Sequence, residues 1–125
     1  MKDETKTGDG APAGSDSSFI PHPSSFHRIR LGPPWDVAPL TGGTRHTRKF
    51  GHPRTLDATE RVWLVCEHVP ASGEVQVNAT VVGKPDTPGP FAADITSLLR
   101  PRNEVFFFVE SELPLGAVAL EIRPA

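Results

Sequence analysis

Apolar and polar residues alternate with a period of two along several short segments of the chain. The longest of these segments runs from Glu60 to Val69, where Val62, Leu64 and Cys66 point to one side and the residues between them point to the other. Successive side chains of a β-strand lie on opposite faces of its sheet, so this alternation predicts a half-buried strand. It is the strongest strand prediction in the chain.

Shorter extended segments, several of them with the same alternation, lie on both sides of that strand. Turn-forming residues such as glycine, proline and asparagine bound them. The further predicted strands cover residues 26–31, 44–50, 74–78, 80–82, 91–95, 104–110 and 117–123. Counted with residues 60–69, these are about eight strands with frequent turns between them, which predicts an all-β fold: an antiparallel β-sandwich of the jelly-roll type.

Three of the predicted strands carry a more specific expectation. Residues 44–50 are polar on both faces, which is typical of an edge strand whose charges prevent stray pairing. Residues 105–109 are apolar on both faces, which predicts a central strand covered on both sides, or on one side and by a ligand or partner on the other. Asn78-Ala79 predicts a two-residue hairpin turn, in which asparagine suits the left-handed conformation and alanine fits it poorly.

Two connecting segments complete the predicted architecture. Residues 35–43, which end in Gly42-Gly43, are expected to form a loop. Residues 96–100 are expected to form a single helical turn. Thr96 would cap this turn by accepting hydrogen bonds from its free amides, and Pro101 would stop its continuation.

Composition supports short strands joined by turns. The chain has 125 residues, among them 14 prolines and 11 glycines, which interrupt helices and sheet ladders alike. Residues 1–25 contain mostly glycine, serine, proline and charged residues, so we expect a disordered tail before a domain that covers residues 26–125. The formal net charge of -2 gives no general attraction to nucleic acid or to an anionic membrane, and neither is expected as a partner.

The sequence also bears on location and redox chemistry. No apolar run approaches the roughly 18 residues that span a membrane, and the first residues lack the apolar centre of a secretory signal. The default expectation is therefore a cytoplasmic protein. Cys66 is the only cysteine, so no disulfide can form within the chain, and its place in a strand predicts a buried, unreactive thiol.

Several motif segments follow one another between residues 44 and 109. In order they are Arg48-x-Phe50, Pro53, Arg61-Val62-x-Leu64, Gly73-x-Val75-x-Val77-Asn78, Gly83 and Pro90-Phe91-x-x-Asp94-Ile95-Thr96-x-Leu98-Leu99. This series resembles the N-terminal sugar-binding domain of family 2 glycoside hydrolases, the β-galactosidase and β-glucuronidase type. The segment from Pro90 to Leu99 and its distance from Asn78 are the specific parts. The resemblance implies a galactose-binding-like jelly roll with a non-catalytic accessory role.

The chain departs from that family in two places and lacks its catalytic part. Asn78-Ala79 stands where the family usually has Asn-Gly, and His46-Thr47 stands where an aromatic residue and an arginine usually precede Arg48. Both catalytic carboxylates of the family belong to a barrel that the resemblance does not reach. The resemblance therefore assigns no catalytic residue to this chain, and we do not expect an enzyme.

Side chains that could carry other chemistry do not form a recognisable site. The five histidines include no His-x-His or His-x-x-x-His pair, and there is no second cysteine, so no zinc site is predicted. The acidic residues lie mostly at strand ends or on outward faces, and Asp94 is expected to anchor the helical turn or neighbouring loop amides. No phosphate-binding glycine loop is present, and no cofactor is predicted.

A carbohydrate ligand would use aromatic and basic side chains. Trp35, in a Pro-Pro-Trp-Asp loop, is the exposed candidate for stacking on a sugar ring, whereas Trp63 lies in a central strand and is expected to pack in the core or between the sheets. Arg45, His46 and Arg48 are the candidate hydrogen-bond donors, with a charged edge strand as the alternative interpretation. The chain has no tyrosine, a frequent sugar-stacking residue.

Two functional hypotheses follow. The first is a carbohydrate-binding-like module with a candidate site at Trp35, Arg45, His46 and Arg48. The second is a structural or protein–protein interaction domain without a small ligand, which would use the phenylalanine-rich strand to meet another protein or a second copy. The first depends on analogy of fold, which does not by itself fix function. The oligomeric state is left open.

Overall fold

A computed structural model of the chain describes residues 27–125. In this range nine strands and one 3₁₀ turn follow one another, and there is no α-helix. The strands are His27–Arg30 (β1), Asp36–Leu40 (β2), Gly43–Gly51 (β3), Glu60–Val69 (β4), Gly73–Val77 (β5), Thr80–Gly83 (β6), Gly89–Asp94 (β7), Arg102–Val109 (β8) and Val118–Pro124 (β9). The 3₁₀ turn, Thr96–Leu98, lies between β7 and β8.

The nine strands form two sheets. One sheet has four strands in the order β1-β9-β4-β7, and the other has five in the order β2-β3-β8-β5-β6. Every neighbouring pair in both sheets is antiparallel. The predicted fold class, an antiparallel β-sandwich with one short helical turn, is confirmed. The predicted tail over residues 1–25 lies outside the described residues.

The core fills the space between the two sheets, because alternate residues of the central strands point toward the opposite sheet. In β4 these are the three residues predicted from the alternation, and β5, β8 and β9 contribute in the same way. The buried inward residues of these strands are Val62, Leu64, Cys66, Val75, Val77, Val105, Phe107, Val109, Val118, Leu120 and Ile122.

The phenylalanine-rich strand is central, as predicted. β8 lies in the middle of the five-stranded sheet, between β3 and β5. Phe107 points inward, is completely buried, and meets the rings of Trp35 and Phe91 edge-on at centroid distances of 6.3 and 6.2 Å. Phe106 and Phe108 point outward and are half-buried. One face of β8 therefore belongs to the core, and the other belongs to the outer surface of the sheet.

The prediction that residues 44–50 form an edge strand is wrong. β3 lies between β2 and β8 and pairs with both. Its polar residues are tolerated in this interior position because several find partners: the Thr44 hydroxyl donates to the Ser111 carbonyl at 2.8 Å, and Arg48 Nε donates to the Gly32 carbonyl at 2.7 Å.

The edge position belongs instead to a segment that was expected to be a loop. Residues 36–40 form β2, which pairs with β3 along its whole length. Pro39 weakens the strand signal because proline has no N–H to donate, but an edge strand tolerates it. The proline-rich sequence therefore protects the edge of the sheet and does not prevent pairing.

The tight turn between β5 and β6 forms where the sequence predicts it. Asn78 and Ala79 both have positive φ angles, of 52° and 67°. The Asn78 side chain donates to the Leu98 carbonyl and to Asn103 Oδ1, each at 2.9 Å, and accepts from the Glu104 N–H at 2.9 Å. One side chain thus joins the hairpin, the 3₁₀ turn and the start of β8.

The 3₁₀ turn is fixed in a different way from the one predicted. Thr96 does not cap it: its hydroxyl oxygen accepts from the Val62 N–H at 2.7 Å, and its hydroxyl donates to Asp94 Oδ1 at 2.7 Å. Asp94 Oδ1 also accepts from the Thr96 N–H at 3.0 Å. Asp94 therefore anchors the turn, as expected, and Thr96 ties it to β4.

Candidate functional site

A cleft of about 390 Å³ opens between the two sheets, beside the end of β1. Three parts of the chain line it: residues 30–35 of the β1–β2 connection, the adjoining faces of β2 and β3, and residues 112–118 before and at the start of β9. Most of the lining side chains are apolar. The polar ones are Arg30, Thr44, His46 and Glu112.

His46 is the buried polar side chain of this cleft that lacks a partner. It points inward from β3 and is 6% exposed. Its Nε2 atom is buried without a hydrogen-bond partner among the described residues, whereas the neighbouring Thr44 hydroxyl is occupied by the Ser111 carbonyl. Burial lowers the pKa of His46, so its imidazole is neutral at pH 7. An unpaired buried nitrogen costs about 1–3 kcal/mol, which a polar group placed beside it would recover.

Trp35, the predicted stacking residue, lines the same cleft and is half-buried. Its indole Nε1 donates to the Leu31 carbonyl at 3.0 Å, and its ring meets Phe107 edge-on. The ring is therefore held at the margin of the core. Because its N–H is already used, Trp35 offers a ligand only the apolar surface of its ring.

The two predicted arginines lie in different places. Arg48 points to the same side of β3 as His46, and its Nε holds the Gly32 carbonyl in the wall of the cleft. It also donates to the Lys49 carbonyl. Arg45 points to the other side of the sheet from His46. There it lies on the outside of the five-stranded sheet, beside its register partner Phe108. The structure thus brings Trp35 and His46 into one cleft with Arg48 behind its wall, and it separates Arg45 from them. The ligand-binding role of these residues remains a prediction.

Sequence reasoning did not identify the rest of the cleft. Arg30 lies at the end of β1, and Glu112 and Leu115 come from the loop before β9. Glu112 follows His46 by 66 residues, more than half of the chain, and no local pattern marks it as a neighbour. Only the pairing of β3 with β8, which places the loop after β8 beside the start of β3, brings these groups together.

Trp63 does not pack between the sheets, so that prediction is wrong. It points outward from the four-stranded sheet, is half-buried, and lies under the Arg123 guanidinium, which is 4.7 Å from its ring centroid. The carboxylate of Glu121 lies nearby and is almost fully buried. It accepts from Arg123 at 2.6 Å and from Arg28 at 3.2 Å. These contacts stabilise the outer surface of the sheet.

Two other candidate groups have structural roles. Cys66 is 2% exposed, and burial raises the pKa of its thiol, so the buried, unreactive thiol is as predicted. Burial raises the pKa of Asp94, but hydrogen bonds from Arg61 and Thr96 outweigh this and lower it overall. Within residues 27–125, no three His, Cys, Asp or Glu side chains are grouped to hold a metal ion. No helix in the same range has the length and apolarity needed to cross a membrane.

The fold recurs in β-glucuronidases of known structure. The FMN-binding β-glucuronidase of Faecalibacterium prausnitzii L2-6 matches with a TM-score of 0.69 and 20% identity, over 80% of this chain and 23% of that one. The enzyme of Bifidobacterium dentium, complexed with coumarin-3-O-glucuronide, matches with a TM-score of 0.66 and 15% identity, over 86% of this chain and 32% of that one. The enzyme of Ruminococcus gnavus, in complex with D-glucuronic acid, matches with a TM-score of 0.65 and 13% identity, over 86% of this chain and 31% of that one.

These matches define what is shared. This chain spans a third or less of the length of each of those enzymes, so the likeness is to one part of them. At these identities it is the fold that is shared. The predicted resemblance to the β-sandwich domain of family 2 glycoside hydrolases is confirmed at that level. No protein-family model and no curated protein sequence matches the chain.

Proposed function

We propose that this chain is a non-catalytic accessory module that binds carbohydrate in the cleft beside Trp35 and His46. The observation that carries the proposal is the buried, neutral imidazole of His46 at the wall of an open cleft, with Nε2 lacking a partner. A small rotation of the imidazole toward the cleft would let a sugar hydroxyl supply the missing hydrogen bond. Two enzymes that contain this fold as one part are complexed with coumarin-3-O-glucuronide and with D-glucuronic acid, which supports a sugar as the first ligand class to test.

The shape and lining of the cleft suit a sugar ring. Its volume of about 390 Å³ lies within the range of small-molecule sites, which is about 300–1,000 Å³. Its largely apolar wall, with the Trp35 ring in it, would pack against the C–H face of a pyranose. Glu112 and Arg30 supply further polar groups, an acceptor and a donor, for the hydroxyls.

The direct test is a glycan array probed with the full chain, followed by calorimetry on each hit. The array should contain neutral and anionic glycans. Tryptophan fluorescence then locates the ligand, provided that the two tryptophans are separated. In a Trp63→Phe background the signal comes from Trp35 alone, so a ligand in the cleft should change the emission, and a ligand on the outer sheet should not.

A matched pair of valine substitutions tests the site without disturbing the core. Val37 lines the cleft and is 54% exposed, and Val81, on the edge strand β6, is 46% exposed. Val37→Arg should fill part of the cleft and weaken a confirmed glycan about tenfold or more, in line with a blocked pocket. Val81→Arg should leave binding unchanged. Equal affinities for both variants and the unmodified chain would exclude this cleft as the site.

The second hypothesis, a structural or protein–protein interaction domain, keeps one specific observation in its favour. Phe106 and Phe108 present a half-buried aromatic surface on the outside of the five-stranded sheet. A folded chain that binds nothing on the array would favour this hypothesis over carbohydrate binding.

A further inference from the structure

The outer face of the five-stranded sheet has an apolar centre with opposite charges on its two sides. Phe106 and Phe108 of β8 form the centre. The strand register places Arg45 of β3 on one side of Phe108 and Glu74 of β5 on the other side, in one cross-strand row. The adjacent row has the uncharged Thr47 and Gln76 on the two sides of Phe106. We call these two rows the outer face.

Arg45 and Glu74, the two charges that flank Phe108, do not neutralise each other within one copy. Arg45 and Glu74 are separated by β8, so they are two strand spacings, or about 10 Å, apart. Arg45 Nε is buried and has no hydrogen-bond partner among the described residues. Glu74 accepts a hydrogen bond from Gln76, and neither Arg45 nor Glu74 forms an ion pair within residues 27–125. Both charges are therefore available to a partner.

We propose that the outer face binds a second copy of this chain in a two-fold symmetric dimer. A two-fold axis that runs along β8 exchanges the β3 side of the sheet with the β5 side. Each Arg45 then lies over Glu74 of the other copy, and each Phe108 lies over the other Phe108. Stacked sheets pack about 10 Å apart, a distance that both side chains can bridge. A single surface that carries its own complement is what an isologous interface requires.

The same geometry predicts a weak dimer. Five strands at their normal spacing are about 20 Å wide, so the two faces together bury on the order of 1,000 Å², near the lower limit for a specific interface. Glu104, at one end of β8, approaches its own copy across the axis. Lys49 lies beside it in the register and offsets part of that repulsion. The dimer leaves the cleft open, because the cleft faces the other sheet.

Charge reversal gives a test that separates association from folding. Sedimentation equilibrium of the full chain, over a range of concentrations, measures the dimer dissociation constant. Arg45→Glu and Glu74→Arg should each weaken the dimer about tenfold or more, because each variant brings like charges together. The two variants mixed in equal amounts should dimerise again, because one then carries two acidic groups and the other carries two basic ones.

The controls reverse charges elsewhere on the surface. Asp86→Arg and Arg100→Glu alter exposed residues outside the strands of the outer face and should leave the dissociation constant unchanged. Circular dichroism confirms that every variant is folded. Recovery of the dimer in the mixture, and in no single variant, supports the proposal. A chain that stays monomeric at all concentrations, or a mixture that behaves as the sum of its parts, overturns it.

Discussion

Replacing Asn78 by glycine tests how strongly the sandwich depends on one side chain in a hairpin turn. Asn78 makes three hydrogen bonds at 2.9 Å, which reach the 3₁₀ turn, Asn103 and the first residues of β8. Its backbone also needs a positive φ of 52°. Glycine adopts that φ without strain, so Asn78→Gly removes the hydrogen bonds and keeps the turn geometry.

The expected loss follows from these contacts. A hydrogen bond contributes a net of about 1 kcal/mol, which gives about 3 kcal/mol for three, and water at this half-buried position replaces part of it. We expect Asn78→Gly to lower the free energy of unfolding by about 2 kcal/mol. Asn78→Ala should cost about 1 kcal/mol more, because alanine is strained in the left-handed region.

Urea denaturation followed by circular dichroism measures these differences. Ala79→Gly is the matched control, since Ala79 has a φ of 67° and contributes only strain at this position. It should be neutral or stabilise the fold by about 0.5 kcal/mol after the greater flexibility of glycine in the unfolded chain is counted. A change of less than about 0.5 kcal/mol in Asn78→Gly, or an Asn78→Ala variant more stable than Asn78→Gly, would contradict this role of the Asn78 side chain.

Two further predictions concern packing and pH. Gly73→Ala should destabilise the fold by about 2–4 kcal/mol, because the added Cβ would overlap the Phe108 carbonyl oxygen. Gly32→Ala is the control and should be tolerated, because nothing lies within 4 Å of a Cβ at that position. Thermal unfolding of the two variants measures the difference. Burial lowers the pKa of His46 below its unfolded value of 6.5, so below pH 6.5 the unfolded chain binds more protons and stability falls. The melting temperature should therefore drop between pH 7.5 and 5.5, and His46→Gln should reduce that drop. An equal drop in the unmodified chain and in His46→Gln would contradict the assignment of this pH dependence to His46.

The sequence predicted the strands wherever one face of the strand was clearly apolar. In β4 and β5 the inward positions are all hydrophobic, so the alternation revealed the strand and its buried face. It did not reveal β2, and for β3 it predicted the strand but the wrong position in the sheet. The inward side chains of β3 include His46 and Arg48, which bind or face other parts of the chain, so their polarity suggested solvent on both sides. Pro39 concealed β2, because a proline has no N–H to donate to a neighbouring strand and so weakens the strand signal.

The candidate site was only partly predictable because its walls come from distant segments. Trp35 and His46 could be selected by residue type, because an indole ring can stack on a sugar and an imidazole can form hydrogen bonds with its hydroxyls. Their meeting in one cleft depends on how β2 pairs with β3 and on how the loop after β8 folds against β1. A single sequence contains no local signal for such contacts. The separation of Arg45 from His46, by contrast, follows from the strand alternation, because neighbours in a strand face opposite ways.

That alternation in β3 gives one strand two separate tasks. His46 faces the cleft and Arg45 faces the outer surface, because successive side chains of β3 lie on opposite sides of the sheet. His46 thus serves the proposed sugar site, and Arg45 serves the proposed dimer. Since β3 pairs on both sides, its register cannot slip by one residue without exposing Thr44 and His46 and burying Arg45. The two proposals are therefore independent in their ligands but depend on the same register. A substitution that shifts β3, unlike one that alters a single side chain, should abolish glycan binding and self-association together.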